Sequence, residues 1–409
     1  MRHPLTLLIL ICLTVNIPAA YAQKKSIGKT AVTKKTPTSE ELLQQAEDYY
    51  NGTNGAFMNR EKAKELFRQS ADMGNTKAQI AIYELYVTTD QKASLKYLRM
   101  AAEKEDSLAM YYLGDIYAQG LHGIAVDEEQ ALYWYKLSAN HGDPGGQMKL
   151  GLYHYTGRCG LVPDEEKAFS LFLKAAEQDY GPACFFVMNG YAYGKGVERD
   201  EEKAIFYCKK GADLGDANSQ NMYGRMLEQG IGSVRKNEIQ AFIHFKKAAE
   251  QGNAEAMFSV GEYYRKGTGG LQISKDKAKE WYIKASESGN TKALIMIADF
   301  LCSDNQERLS WYRKAAEKGD ITGQAELAWA HCTGEIDNYD PNAGAQELQK
   351  LSKTGNPRAV YYFGELLLQG KCGIPKNKKA AKRMFESIKD NADDGKASFC
   401  AQMNLYKIK

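Results

Sequence analysis

Residues 254–267, AEAMFSVGEYYRKG, and 274–290, SKDKAKEWYIKASESGN, decide the fold, because almost every feature in them returns along the 409-residue chain. With Ala278 as anchor, the equivalent places are Ala63, Ala93, Ala131, Ala168, Ala204, Ala241, Arg308, Gly344 and Ala380. Successive intervals are 30, 38, 37, 36, 37, 37, 30, 36 and 36 residues. Four residues beyond the anchor stands a large apolar group, as at Tyr97, Tyr135, Phe172, Phe245, Tyr282 and Tyr312, with Cys208 in one unit. Eight residues beyond stands a small one, as at Ala71, Ala139, Ala176, Ala212 and Ala249. Offsets of 0, 4 and 8 lie on one stripe of an α-helix, so each unit contains an amphipathic helix B whose small residues admit a close neighbour. A Gly followed by Asp or Asn closes it, as at Gly142, Gly215, Gly252 and Gly289, which is the signature of a left-handed C-cap.

Upstream lies a second helical stretch, helix A, with a recurrent small site at Gly114, Gly151, Gly224, Gly261, Ala298, Ala328 and Gly364. Glycine inside a helix costs about 1 kcal/mol relative to alanine, so its return at one place implies close packing there. A single helix pair cannot bury its own apolar face. The predicted fold is therefore all-α: an α-solenoid of about ten stacked antiparallel helix pairs over 39–396, with a capping helix at 397–409.

The chain begins MRHPLTLLILICLTVNIPAAYAQ, with Arg2, an apolar run from Leu5 to Ile17, and small residues Ala20 and Ala22 before Gln23. This pattern predicts a signal peptide over 1–22, and hence a periplasmic or secreted protein with no transmembrane helix in the mature chain. Residues 23–38 hold five Lys and no acid and are expected to be a basic flexible spacer. The net charge of +3, with both signs interspersed, gives no stripe for nucleic acid.

The stretches AMYYLGDIYAQG with DEEQALYWYKLSANHGD, and SQNMYGRMLEQG with KNEIQAFIHFKKAAEQGN, together with the opening pair, resemble the Sel-1-like repeats, relatives of the tetratricopeptide repeats. The resemblance covers nearly the whole predicted mature chain and implies a superhelical scaffold or adaptor for other proteins, acting without a reaction of its own. A secreted, cysteine-rich branch of that family carries two cysteines per repeat, joining helix A to helix B, and some of its members are described as β-lactamases or penicillin binders. Here the pattern departs from that branch. Cys184 stands at the helix A position, but the helix B position of the same unit is Gly211, with Cys208 three residues earlier, so a Cys184–Cys208 bond is conceivable but would not reproduce the geometry of that branch. Cys302 and Cys332 occupy equivalent places in successive units, and Cys159 and Cys372 occupy corresponding loops. We expect these to be unpaired.

Three fragments match the penicillin-recognising signature in order: SKDK (Ser274–Lys277), SDN (Ser303–Asn305) and KTG (Lys353–Gly355). That chemistry needs a serine at a helix start beside its lysine and a third element on a strand. The repeat register instead makes them a loop before helix B, a shortened loop and a helix B end. No His pair has helical metal-site spacing and there is no Cys-x-x-Cys. No catalytic residue, cofactor or metal is predicted. YAYGKGVERDEEKAIFYCKKG (191–211) suggests a phosphate loop followed by a thiol, but it is the interhelical turn of one unit, and its acids suit a helix N-terminus while repelling phosphate.

Binding is expected on a concave face lined by helix A, from the residue after the small site and its neighbour one turn on. The candidates are Asp115, Tyr155, Arg225, Glu262, Arg265, Asp299, Trp329 and Glu365. These columns mix aromatic, acidic and basic groups, as a groove for an unidentified protein or peptide requires. A cell-envelope scaffold acting as a monomer is the leading expectation. A hydrolase or cell-wall binder of the cysteine-rich branch, and an adaptor in a eukaryotic secretory lumen, are the alternatives.

Overall fold

The computed structural model describes residues 36–391 and 394–408. The predicted signal peptide and spacer residues 23–35 lie outside the described residues. The helices run α1 (Ser39–Asn51), α2 (Arg60–Asp72), α3 (Thr76–Tyr86), α4 (Gln91–Glu103), α5 (Ser107–Gln119), α6 (Glu128–Asn140) and α7 (Pro144–Thr156). Next come α8 (Glu165–Glu177), α9 (Gly181–Tyr193), α10 (Glu201–Asp213), α11 (Ala217–Gln229), α12 (Glu238–Glu250), α13 (Ala254–Lys266) and α14 (Lys275–Glu287). The last seven are α15 (Lys292–Phe300), α16 (Asn305–Glu317), α17 (Ile321–Thr333), α18 (Pro341–Ser352), α19 (Pro357–Gln369), α20 (Lys378–Ile388) and α21 (Gly395–Ile408). Odd-numbered helices up to α19 are helix A and even-numbered ones helix B, and the described residues contain no strand. Two compact units divide within α11, the first holding residues up to 223 with 232–234 and the second the remainder. Inside each, consecutive helices pack pairwise, which makes the chain an all-α solenoid.

Capping explains why the boundaries repeat. Helix B starts on Asn59, Asp90, Asp127, Asp164, Asp200, Asn237, Ser274, Asp304, Asp340 or Asn377, and each side chain accepts a hydrogen bond from a backbone N–H in the first turn. A cap of this kind is worth about 1 kcal/mol, and every pair has one. Helix A commonly ends on glycine in the left-handed conformation, as at Gly120, Gly194 and Gly267, with Val87 and Leu301 closing α3 and α15 instead.

The small site on helix A is where a helix B ring lies flat. A Cβ placed on Gly114 would fall 2.5 Å from the Tyr135 ring, on Gly151 2.7 Å from Phe172, and on Gly261 2.6 Å from Tyr282. In the last pair the glycine faces Phe385: a Cβ on Gly364 would lie 2.6 Å from that ring. Ala381 is fully buried and Ala380 is not, so the tenth anchor is Ala381 and the sequence register there is corrected by one residue. The cause is local, since consecutive alanines leave the anchor ambiguous until the ring is seen. Helix α21 lays Ala397 and Ala401 against Val360, Phe385 and Ile388. Aromatics at one fixed helix B position, Trp134, Trp281 and Trp311, would be expected to fill the stack, but all three are only half-buried.

Candidate functional site

Helix A places the column after the small site against helix B, and there its polar groups find partners inside the chain. The Tyr135 hydroxyl donates to Asp115 at 2.6 Å, and Lys149 Nζ lies 2.8 Å from the same carboxylate. Tyr282 donates to Glu262, and Tyr312 donates to Asp299 at 2.5 Å. In the units where helix B carries Phe172 or Phe245 instead of tyrosine, the helix A position is Leu152 or Arg225. In these three pairs a carboxylate on helix A meets a phenol on helix B, whereas Glu47 and Glu365 hold the same helix A position in pairs whose helix B carries Phe67 and Phe385. Variation that looked like groove chemistry in the sequence is, at Asp115, Glu262 and Asp299, partly this pairing.

Glu262 shows the electrostatics. Burial alone would raise its pKa, but hydrogen bonds from Arg265, Lys266 and Tyr282 outweigh that and hold it at about 2. Arg265 binds it through Nε at 2.9 Å and Nη2 at 2.8 Å, and the guanidinium also lies 4.6 Å from the Phe300 ring. Because the folded pKa is depressed, the stabilisation is full above the unfolded value of about 4.3 and is lost as pH falls through about 2. Tyr282→Phe is expected to raise the Glu262 midpoint, read by carboxyl-carbon NMR titration, and to cost about 1 to 3 kcal/mol, as for a hydrogen bond to a charged group. Glu365 accepts from Gln369 at 2.5 Å and from Asn404 of α21, and Arg225 is exposed.

Tyr155 has a different setting. With Asn189, Phe186, Tyr193 and Lys195 it lines a cleft of about 280 Å³ between α7 and α9 in the first unit. Its floor is Phe172, stacked on Phe186 at 4.8 Å, and Phe169, which Gly190 admits because a Cβ there would fall 2.5 Å from the ring. Lys195, in the turn after α9, donates to the Tyr155 hydroxyl at 2.5 Å and holds its ammonium 5.2 Å from the ring centre. Tyr193 is 69% exposed at the rim. A loop cavity adjoins the cleft through Glu165 and is walled by Val162, Glu166, Gly196 and Glu198. Gly196 sits with φ +69° against the Glu165 carbonyl, where a Cβ would fall 2.0 Å away. This is the turn of 191–211. Asp200 caps α10, and Cys208 is buried with its thiol 3.7 Å from the Ser219 carbonyl, burial pushing its pKa up to about 12.

A second, more polar cleft of about 170 Å³ in the other unit is walled by Trp329, Arg308 and Lys396. Trp329 stacks on Tyr362 at 4.7 Å with the rings 8° apart. Beside it Arg358, missed in the sequence, is 5% exposed and binds three carboxylates: Asp299, Glu326 at 2.6 Å and Asp394 at 2.5 Å. Burial would raise the Asp299 pKa, but the Arg358 guanidinium holds it below the usual carboxylate value. No local pattern marks Arg358, because its partners lie 59, 32 and 36 residues away and meet only through stacking.

The fragments of the penicillin-recognising signature have structural employment. Ser274 caps α14, accepting from the Lys277 N–H at 3.4 Å, and Lys277 Nζ lies over the Tyr264 ring. Ser303 bonds Glu307, and Lys353 is the C-cap of α18. Cys184 and Cys208 bond to separate carbonyls, of Tyr180 and Ser219, and all seven described cysteines are free thiols. Among the described residues no group of three or more His, Cys, Asp or Glu is disposed to hold a metal, and no helix is long and apolar enough to cross a membrane.

Helix pairs of fixed register, an aromatic cleft on helix A and polar columns already satisfied within the fold define an α-helical repeat scaffold of the kind suited to protein–protein interaction. More narrowly, the chain belongs to the Sel1 repeat family, whose model matches residues 46–75, 82–106, 107–143, 144–180, 188–216, 217–253, 254–290, 309–320 and 357–393. Among solved structures it is similar to a protective antigen present in uropathogenic Escherichia coli strains that displays an SLR fold. That similarity has 24% identity and a TM-score of 0.63, covering 90% of this chain and 79% of that one. It is also similar to a Sel1 repeat protein from Oxalobacter formigenes, with 26% identity and a TM-score of 0.50, over 59% of this chain and 99% of that one. No curated protein matches the chain.

Proposed function

We propose that the chain is an exported scaffold that binds a protein or peptide segment in the cell envelope and catalyses no reaction itself. The cleft at Tyr155 carries this reading. It offers an apolar floor of stacked phenylalanines, an exposed aromatic at the rim, and a lysine and an asparagine at its edge. Interfaces anchor on such aromatic-lined pockets with a few polar groups. Export is supported by the pattern of residues 1–22, and the absence of catalysis by the capping and packing roles of Ser274 and Lys277.

Site-specific photocrosslinking tests it. A photoreactive phenylalanine at Tyr193 is expected to capture a discrete envelope partner that the same probe at Phe206, 61% exposed on helix B, does not. Tyr193→Ala with Lys195→Ala should then weaken binding of that partner by about 30-fold, as loss of a hot spot does. Equal capture at both positions would count against the cleft. Nitrocefin hydrolysis abolished by Ser274→Ala would overturn the non-catalytic reading, and an N-terminus other than Gln23 on the exported protein would overturn the predicted cleavage.

A further inference from the structure

We propose that Cys332 and Cys372 form a dithiol which a small disulfide or a disulfide-bearing oxidoreductase converts to an intrachain bridge, clamping the turn after α19 onto α17. Both sulfurs belong to the same apolar cluster and both residues are half-buried. Cys332 stands near the end of α17, its thiol 3.6 Å from the Pro341 carbonyl. It sits over Gly344, where a Cβ would come within 3.0 Å of the sulfur. Cys372 lies in the turn with φ +51°, a left-handed conformation uncommon for a residue with a side chain. From there its thiol donates to the carbonyl of Cys332 itself at 3.6 Å. The Cys372 sulfur thus approaches Cys332 directly, within the apolar cluster that holds both residues. Burial, and after it the neighbouring Cys372, push the Cys332 thiol up to about 12.

The repeat supplies internal controls. Cys159 occupies the same turn position as Cys372, also left-handed at φ +52°, but packs in a cluster with Ala118, which stands where Cys332 stands. Cys302 shares the Cys332 column, yet the next turn, residues 334–340, contains no cysteine. Only at Cys332 and Cys372, among the described residues, are both halves present. The bridge would join helix A of one repeat to the turn of the next, 40 residues on, unlike the within-repeat pairing of the cysteine-rich branch.

The step balances as thiol–disulfide exchange. Cys372 as thiolate attacks one sulfur of RSSR and expels RS⁻, leaving a mixed disulfide. Cys332, on losing its proton, attacks the Cys372 sulfur and expels the second RS⁻. Two electrons have passed to RSSR, two protons end on the two RSH, and one S–S bond joins the residues.

The purified full chain, incubated with oxidised glutathione and alkylated, is the test, and it does not depend on where the protein resides. Expected is the loss of two alkylatable thiols of the eight in the chain, a Cys332–Cys372 linked peptide as the main product of non-reducing mapping, and reversal by dithiothreitol. Cys332→Ser, verified as folded by circular dichroism, should instead leave Cys372 as a stable mixed disulfide with glutathione. All eight thiols still alkylatable, or a main linkage involving any other cysteine, would overturn the proposal.

Discussion

Arg358→Met is expected to lower the stability of the C-terminal repeats by about 3 to 5 kcal/mol, the usual cost of removing one partner from a buried ion cluster. In the native chain two cations, Arg358 and the half-exposed Lys396, face three carboxylates, of Asp299, Glu326 and Asp394. Methionine fills much of the same volume but leaves the three carboxylates with a single cation, the ammonium of Lys396, 3.8 Å from two of them, beside neutral donors such as the Tyr312 hydroxyl on Asp299. Asp299 and Glu326 have side chains 5% and 8% exposed, so water cannot take over. Because the partners come from α15, α17, α19 and the start of α21, the loss should show as early opening of α15–α21. Repeat stacks open locally when one interface fails. Hydrogen exchange checks this: protection should fall in α17, α19 and α21 while α5–α8 keep theirs.

The same variant makes a prediction of sign with pH. Asp299 has a depressed folded pKa in the native chain, so its contribution is full above the unfolded value of about 3.9 and is lost as pH falls through the lower folded value. Without Arg358, burial dominates and the folded pKa moves above the unfolded one. The penalty is then largest near neutral pH and is relieved as the carboxylates take up protons. The gap in unfolding midpoint between native and variant chains should therefore narrow from pH 7 to pH 4. A constant or widening gap would mean that the cluster is not what Arg358 stabilises.

What the sequence makes legible follows from what a repeat amplifies. The anchor, the ring four residues on and the glycine site recur in many units, so helix pairing and the Sel1 family were readable without coordinates. Caps such as Asp127 and Asn237 were equally readable, since each satisfies the N–H groups of its own helix start. The candidate columns were readable only as positions. That Asp115 and Asp299 are held by tyrosines of helix B, whereas Tyr155 opens into an aromatic cleft, depends on which neighbour each meets across the pair. Arg358 and the Cys332–Cys372 contact lay beyond a unit-by-unit reading, because each links two or more repeats at positions that differ from unit to unit.

A double substitution at Gly151 and Phe172 should show that the fold rule is a volume rule. One unit of this chain already breaks the rule in both columns at once, with Met188 at the glycine site and Cys208 at the ring site, both fully buried. A long side chain on helix A is offset there by a small one on helix B. Gly151→Met alone should drive a side chain into the Phe172 ring, which a bare Cβ would already approach to 2.7 Å. Overpacking of that severity costs about 3 kcal/mol, against a helix-propensity gain of only about 1 kcal/mol. Phe172→Cys alone should cost about 3 kcal/mol through the cavity it leaves and through the lost stacking on Phe186. If the two sites share one volume, the double variant is less damaged than the sum of the singles by about 1 to 3 kcal/mol, the range of coupling between residues in contact. Urea unfolding of the four proteins measures that coupling. Simple additivity would mean that Met188 and Cys208 are tolerated for separate local reasons, and that the glycine column records backbone approach rather than the ring beneath it.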